Sequence, residues 1–132
     1  MAFQKNPNLV YPELSYQIMR CAFNVHNTLG GGLPEKDYQQ ALAREFKLQG
    51  ITYSEQCYVE IEYKGKTLKR FCDFLVDEKI LIEIKSVSRI VYRDFQQAER
   101  YLVFKKLKLA LLILFGREFV SHKRILNINK DN

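Results

Sequence analysis

A chain of 132 residues, 47% of them hydrophobic, can bury one core, and residues 1–132 read as a single domain. Its three cysteines, Cys21, Cys57 and Cys72, are odd in number and lack CxxC spacing, which argues against a disulfide framework or zinc ribbon and suits a reducing, cytoplasmic setting. The net charge of +6 is uneven: residues 1–78 carry 9 Lys/Arg against 10 Asp/Glu, net −1, and residues 79–132 carry 12 against 5, net +7, a split that suits a polyanionic partner as well as it suits a merely solubilised surface.

The opening "MAFQKNPNLVYPEL" has no apolar signal core, and no apolar stretch is long enough to span a bilayer. "YPELSYQIMRCAFNVHNTLGGG" predicts a helix that begins at Pro12, with Leu14, Ile18, Cys21, Ala22, Val25 and Leu29 at helical spacing and Gly30 to Gly32 as its stop. "PEKDYQQALAREFKLQG" predicts a second helix, with Pro34 at its start, Glu35 and Asp37 in its first turn and Gly50 at its end. "SEQCYVEIEYKG" then alternates with period two, as a half-buried strand does. "TLKRFCDFLVD" and "ILIEIKS" predict two more strands, separated by a "DEK" turn. "YRDFQQAERYLVFKK" returns to helical spacing, "LKLALLILF" is a fully buried strand, and "EFVSHKRILNI" is a last strand. The expected order is ααβββαββ.

Glu83 and Lys85 interrupt the apolar run "ILIEIKS", and charged side chains are rarely buried unless paired. If the preceding turn centres on Glu78, positions summing to 156 oppose one another, so Asp73 faces Glu83 on one face of the sheet, and Lys85 shares that face. Two carboxylates side by side repel, and a structure that keeps them places a cation between them or lets them share a proton. Oxygen ligands alone suit Mg²⁺ or Mn²⁺. An ordinary charge pair on edge strands explains the same spacing, although the apolar company of both segments favours interior strands.

"GLPEKDY", residues 32–38, has the spacing G-x-x-E-x-x-Y. With "VHNTLGGGLPEKDYQQAL", "YVEIEYKGKTLKRFCDFLV", "ILIEIKS", "QQAERYL" and "LLILFG", the chain from about Leu14 to Leu126 resembles the GxxExxY protein family of the PD-(D/E)xK nuclease-like superfamily. That resemblance implies an α/β, restriction-endonuclease-like core: a central mixed β-sheet flanked by helices. It implies that Asp73 is the strand aspartate and that Glu83 and Lys85 are the (D/E)xK pair. Glu35 becomes the helical acid that some members add to the metal site. Gln97, with Tyr101 one turn later, stands where related nucleases often place a glutamine near the substrate phosphate. The sequence departs from the family at Asp94, where a histidine commonly precedes that glutamine.

These residue types fit phosphodiester hydrolysis. A metal ion held by Asp73, Glu83, the Ile84 carbonyl and Glu35 would acidify a bound water and polarise the phosphate. Lys85 would orient or deprotonate that water, or stabilise the phosphoryl charge. Arg89 and Arg93, with Arg100, Lys105 and Lys106, would hold the nucleic-acid backbone. Read without the resemblance, Glu35 serves the helix dipole, Gln97 and Tyr101 brace a helix, and His26 either caps a helix or approaches the site. No aromatic platform for stacking bases is evident in the sequence. The reading is thus a Mg²⁺- or Mn²⁺-dependent nuclease acting on DNA or RNA; the alternative is a module that binds nucleic acid without cutting it. A pure protein-interaction module explains neither the paired acids nor the charge split. The oligomeric state is left open, a homodimer included.

Overall fold

The computed structural model describes residues 9–87 and 89–127. Helix α1 (Pro12–Leu29) begins at its proline and buries Ile18, Met19, Cys21, Ala22 and Val25 along one stripe. It ends where Gly30, at φ 71°, returns its N–H to the His26 carbonyl. Helix α2 (Glu35–Gln49) buries Tyr38, Leu42, Ala43 and Phe46, packs against α1, and ends at a left-handed Gly50.

The strands are β1 (Tyr53–Ser54), β2 (Cys57–Tyr63), β3 (Lys66–Cys72), β4 (Phe74–Val76), β5 (Ile80–Lys85), β6 (Leu109–Phe115) and β7 (Val120–Leu126), and helix α3 (Tyr92–Lys105) connects β5 to β6. Five of them form a mixed sheet in the order β1-β4-β5-β6-β7, in which β5 and β6 are parallel and the other neighbours antiparallel. Strands β2 and β3 form a separate two-stranded ribbon. The main sheet is buried on both faces, which is why β6 reads as a continuous apolar run and β5 as one broken only by Glu83 and Lys85. One face (Phe74, Val76, Ile80, Ile82, Leu109, Leu111, Ile113) packs on α1 and α2. The other (Leu75, Leu81, Ala110, Leu112) packs on Ala98, Tyr101 and Leu102 of α3 and on Cys57, Val59 and Cys72 of the ribbon.

The expected order ααβββαββ therefore becomes ααβββββαββ. The segment expected as one strand over 67–77 breaks at Asp73, with β3 belonging to the ribbon and β4 to the main sheet. Ser54 leaves the first expected strand and pairs with Leu75 in the main sheet instead. The last expected strand ends at Leu126; its final residue, Ile128, lies outside the described residues. The register around the turn is as expected: Phe74 opposes Ile82, Leu75 opposes Leu81 and Val76 opposes Ile80. Asp77 and Glu78 both take positive φ (53° and 57°), and Lys79 N–H bonds the Val76 carbonyl, the geometry of a type I′ hairpin turn.

Gly31 shows why the glycine run matters. A Cβ there would lie 2.4 Å from the backbone of Arg117 and 2.5 Å from the Gly116 carbonyl, so the turn after α1 seats against the turn after β6 with no room for a side chain. Gly31→Ala should destabilise the fold by about 1–3 kcal/mol, the usual scale of overpacking. Chemical denaturation checks this; a midpoint equal to that of the wild type would mean the two turns separate freely.

Candidate active site

Strand β5 carries Leu81, Glu83 and Lys85 toward α3, because alternate residues share a face. Glu83 lies beside Leu112 of β6 and is only 8% exposed. Across the hairpin, β4 stops at Phe74, so no backbone partner continues the ladder opposite Ile84. Asp73 fills that place: its Oδ2 accepts the Ile84 N–H at 2.6 Å. One residue's N–H and C=O point to the same side of an extended strand, so the Ile84 carbonyl is directed toward Asp73 as well. Gln39 of α2 fixes Asp73 from behind, donating to its carbonyl at 3.4 Å.

The two carboxyl groups are neighbours that feel each other's charge. Burial, then the neighbouring Asp73 charge, pushes the Glu83 carboxyl up to about 9, with Lys85 opposing. Burial also raises Asp73, aided by the charge of Glu35 and opposed by the Ile84 N–H and by Lys85. Glu83 Oε1 is buried and has no hydrogen-bond partner among the described residues. An orphaned buried oxygen beside a second carboxylate is the donor set a hard divalent cation uses, so the pair fits a metal ion.

Glu35 does not complete a cluster with the pair. Its Oε2 accepts the Ser86 N–H at 3.3 Å, and among the described residues no three His, Cys, Asp or Glu side chains are grouped to hold an ion. Ser86 Oγ donates to the Leu33 carbonyl at 2.5 Å, so the loop before α2 is tied to the end of β5. Tyr38 completes the 32–38 motif: its hydroxyl donates to the Gly30 carbonyl at 2.6 Å and accepts the Leu33 N–H, and its ring stacks on Phe115 at 4.4 Å.

Lys85 Nζ lies 3.6 Å from Asp94, in the first turn of α3. Asp94 also caps that helix, accepting the Val91 N–H at 3.1 Å. The residue that departs from the histidine pattern thus both starts α3 and aims the lysine. Its capping role was open to reading, since an acid at the third helical position is a start signal; its hold on Lys85 had no local signal, and neither did Gln39. Gln97 donates to Tyr101 at 2.8 Å, and the buried Tyr101 phenol is raised first by burial and further by the nearby Glu83 charge. Arg89 and Arg93 are exposed on the segment leading from Lys85 into α3. Lys105 is committed to the ribbon, donating to the Tyr58 carbonyl at 2.9 Å. His26 lies away from the acids: its Nε2 is 2.7 Å from the Gly116 carbonyl, where it braces the glycine turn. A cavity of about 1240 Å³ is an open groove along α1 past Tyr16, Arg20, Phe23 and His122, and it contains neither member of the acid pair.

A mixed sheet with an acid at a strand break, an E-x-K strand beside it and a crossover helix closing over both defines a nuclease-type core. The chain belongs to the PD-(D/E)XK nuclease superfamily, whose model matches residues 12–125. Nucleases of this superfamily generally use divalent metal ions. The chain is similar to the crystal structure of SSO0001, with 14% identity and a TM-score of 0.48 over 86% of this chain and 77% of that one. It is similar to an alkaline exonuclease (LHK-Exo) from Laribacter hongkongensis, with 12% identity and a TM-score of 0.48 over 89% of this chain and 82% of that one. No curated protein matches the chain.

The buried pair predicts a pH dependence. Glu83 holds its proton in the folded state up to about 9, whereas the unfolded chain releases it near the ordinary value of 4.5. The folded state therefore binds more protons between those values, and the stability of metal-free protein falls as pH rises through that window, by at most about 1.4 kcal/mol per pH unit for one group. Denaturation in chelator across the window should show this decline, and Glu83→Gln should flatten it. A Glu83→Gln variant with the wild-type slope would assign the decline to other groups.

Proposed function

We propose that the protein is a metal-dependent nuclease of the GxxExxY type, formed by residues 1–132 as one domain, that hydrolyses phosphodiester bonds in nucleic acid. The observation that carries this reading is the buried Glu83 carboxyl, with its unpartnered Oε1, set against Asp73 where β4 ends. Asp73, Glu83 and the Ile84 carbonyl would hold Mg²⁺ or Mn²⁺, with Glu35 at the rim. When bound, such an ion supplies an acidified water and polarises the phosphate.

The remaining work falls to this chain's own side chains. Lys85, aimed by Asp94, takes the attacking water's proton or places its ammonium against the phosphoryl oxygens. The Gln97–Tyr101 pair offers N–H and O–H groups to a phosphate beside Glu83. Arg89, Arg93 and Arg100 bind the backbone by charge, without reading sequence. The free, buried thiols of Cys21, Cys57 and Cys72 suit a reducing cytoplasm. Among the described residues no helix is long and apolar enough to cross a membrane.

One observation favours a second reading, a non-catalytic nucleic-acid-binding module. The Lys85 ammonium is already engaged by Asp94, as it would be if it served only to keep the strand's charges balanced.

Mn²⁺-dependent cleavage across single- and double-stranded DNA and RNA separates the two. The wild type should cleave at least one substrate. Lys85→Ala should lose about 10²-fold or more of that rate, the scale of a positioned acid–base group, while Mn²⁺ still raises its Tm. Cleavage by Lys85→Ala at the wild-type rate would remove the lysine from the chemistry. A wild type that binds all substrates and cuts none would favour the second reading.

Arg89→Ala/Arg93→Ala should weaken binding by a similar factor for unrelated sequences and make it less salt-dependent, since each lost phosphate contact removes a released counterion. An unchanged salt dependence would place the backbone contacts elsewhere.

A further inference from the structure

Arg70 stands on an unexpected face. In the ribbon, Cys57 opposes Cys72, Val59 opposes Arg70 and Ile61 opposes Leu68, and this row is turned toward α3. A guanidinium therefore interrupts an otherwise apolar row that packs against the helix. On α3, Gln97, Arg100, Tyr101 and Phe104 fall at the spacing of one helical stripe facing that row. Between the two surfaces lies a cavity of about 350 Å³, lined by Ile61, Leu68, Arg70, Gln97, Arg100, Tyr101 and Phe104. Two guanidiniums, a phenol and an amide line it, and no acid does. Arg70 spends one N–H on the Lys69 carbonyl at 3.0 Å, which leaves most of its fork free. Neither Asp73 nor Glu83 lines the cavity; its wall toward them is the buried Tyr101 phenol, which feels the Glu83 charge.

We propose that this cavity is a nucleotide subsite, which takes one unpaired nucleotide of a single-stranded segment next to the phosphodiester at Asp73 and Glu83. The proposal rests on the nuclease reading and adds the substrate class to it. The phosphate is recognised by the forks of Arg70 and Arg100, whose geometry matches a phosphate bidentately. The base lies against Phe104, which is 45% exposed, and the apolar walls of Ile61 and Leu68, with the Gln97 amide at its edge. The volume sits at the small end of ligand sites, about 300–1,000 Å³, which suits one nucleotide. A paired base, held in its stack, cannot enter without being extruded.

Fluorescence anisotropy in EDTA tests this without cleavage. The probes are a labelled oligodeoxythymidylate and a blunt, loop-free duplex of two complementary strands with equal total nucleotide number, with thymidine 5′-monophosphate as competitor. Wild type should bind the single strand about tenfold or more tighter than the duplex, the scale of one stacked base, and the mononucleotide should compete with the single strand. Arg70→Ala/Arg100→Ala and, separately, Phe104→Ala should bring the ratio of the two affinities close to one. These exposed positions should leave Tm within a degree or two of wild type. Equal affinity of the wild type for both probes, or a ratio unchanged in both variants, overturns the subsite. A wild type that cleaves both probes equally with Mn²⁺, with the arginine variant unaffected, also overturns it while leaving the nuclease reading intact. Single-strand preference that the arginine variant abolishes supports the subsite even in a preparation that does not cleave.

Discussion

The hydrogen bond from the Ile84 amide to the Asp73 carboxylate is where the sheet gives way to the site. A backbone N–H inside a buried sheet must be satisfied. Here β4 stops one residue short, and a side chain takes over the role of a neighbouring strand. That substitution brings a carboxylate into the line of the sheet where β4 gives out, next to the strand residue that precedes Ile84, Glu83. Burial then makes the two acids compete for one proton, and it leaves Glu83 Oε1 without a partner. A fold selected for stability alone has little use for that arrangement, since an unpaired buried polar atom costs about 1–3 kcal/mol.

The rest of the chain keeps this strand break in place. Gln39 holds the Asp73 carbonyl from α2, and Ser86 ties the end of β5 to the loop that starts α2. Tyr38 and His26 bind the glycine turn to Phe115 and Gly116 at the end of β6, so the 32–38 motif acts mainly as a clamp across the ends of the two parallel strands. On the other side, Asp94 fixes the first turn of α3 and the Lys85 ammonium together. The acid pair is thus held between two helical layers, and each layer contributes a positioning group to it: the Gln39 amide from α2 and the Asp94 carboxylate from α3.

Much of this was legible in the sequence because local rules agree there. Pro12, Pro34, Gly30 and Gly50 bound the first two helices within a residue or so. The "DEK" turn, with its apolar flanks, fixed the pairing of 74–76 with 80–82, but Asp73 leaves that ladder instead of opposing Glu83 within it, and its side chain accepts the Ile84 N–H. The strand break itself was not legible. "TLKRFCDFLVD" alternates well enough to read as one strand, and no glycine or proline marks the point where the chain passes from ribbon to sheet. Strand β1 is two residues long and depends wholly on pairing with β4, which no local pattern encodes. The Lys85–Asp94 pair and the inward face of Arg70 depend on where α3 lands, a matter of tertiary packing alone.

Calorimetry with Mn²⁺ near neutral pH, repeated in buffers of different protonation enthalpy, tests the central claim most directly. The pair holds a proton in metal-free protein because Glu83 is pushed up to about 9. Binding of one ion by Asp73 and Glu83 must displace that proton, since metal ligands bind deprotonated. The account predicts one ion bound and close to one proton released per ion in the wild type, with Asp73→Ala losing the binding. Binding of equal strength in Asp73→Ala, or binding of the ion without proton release, would contradict it.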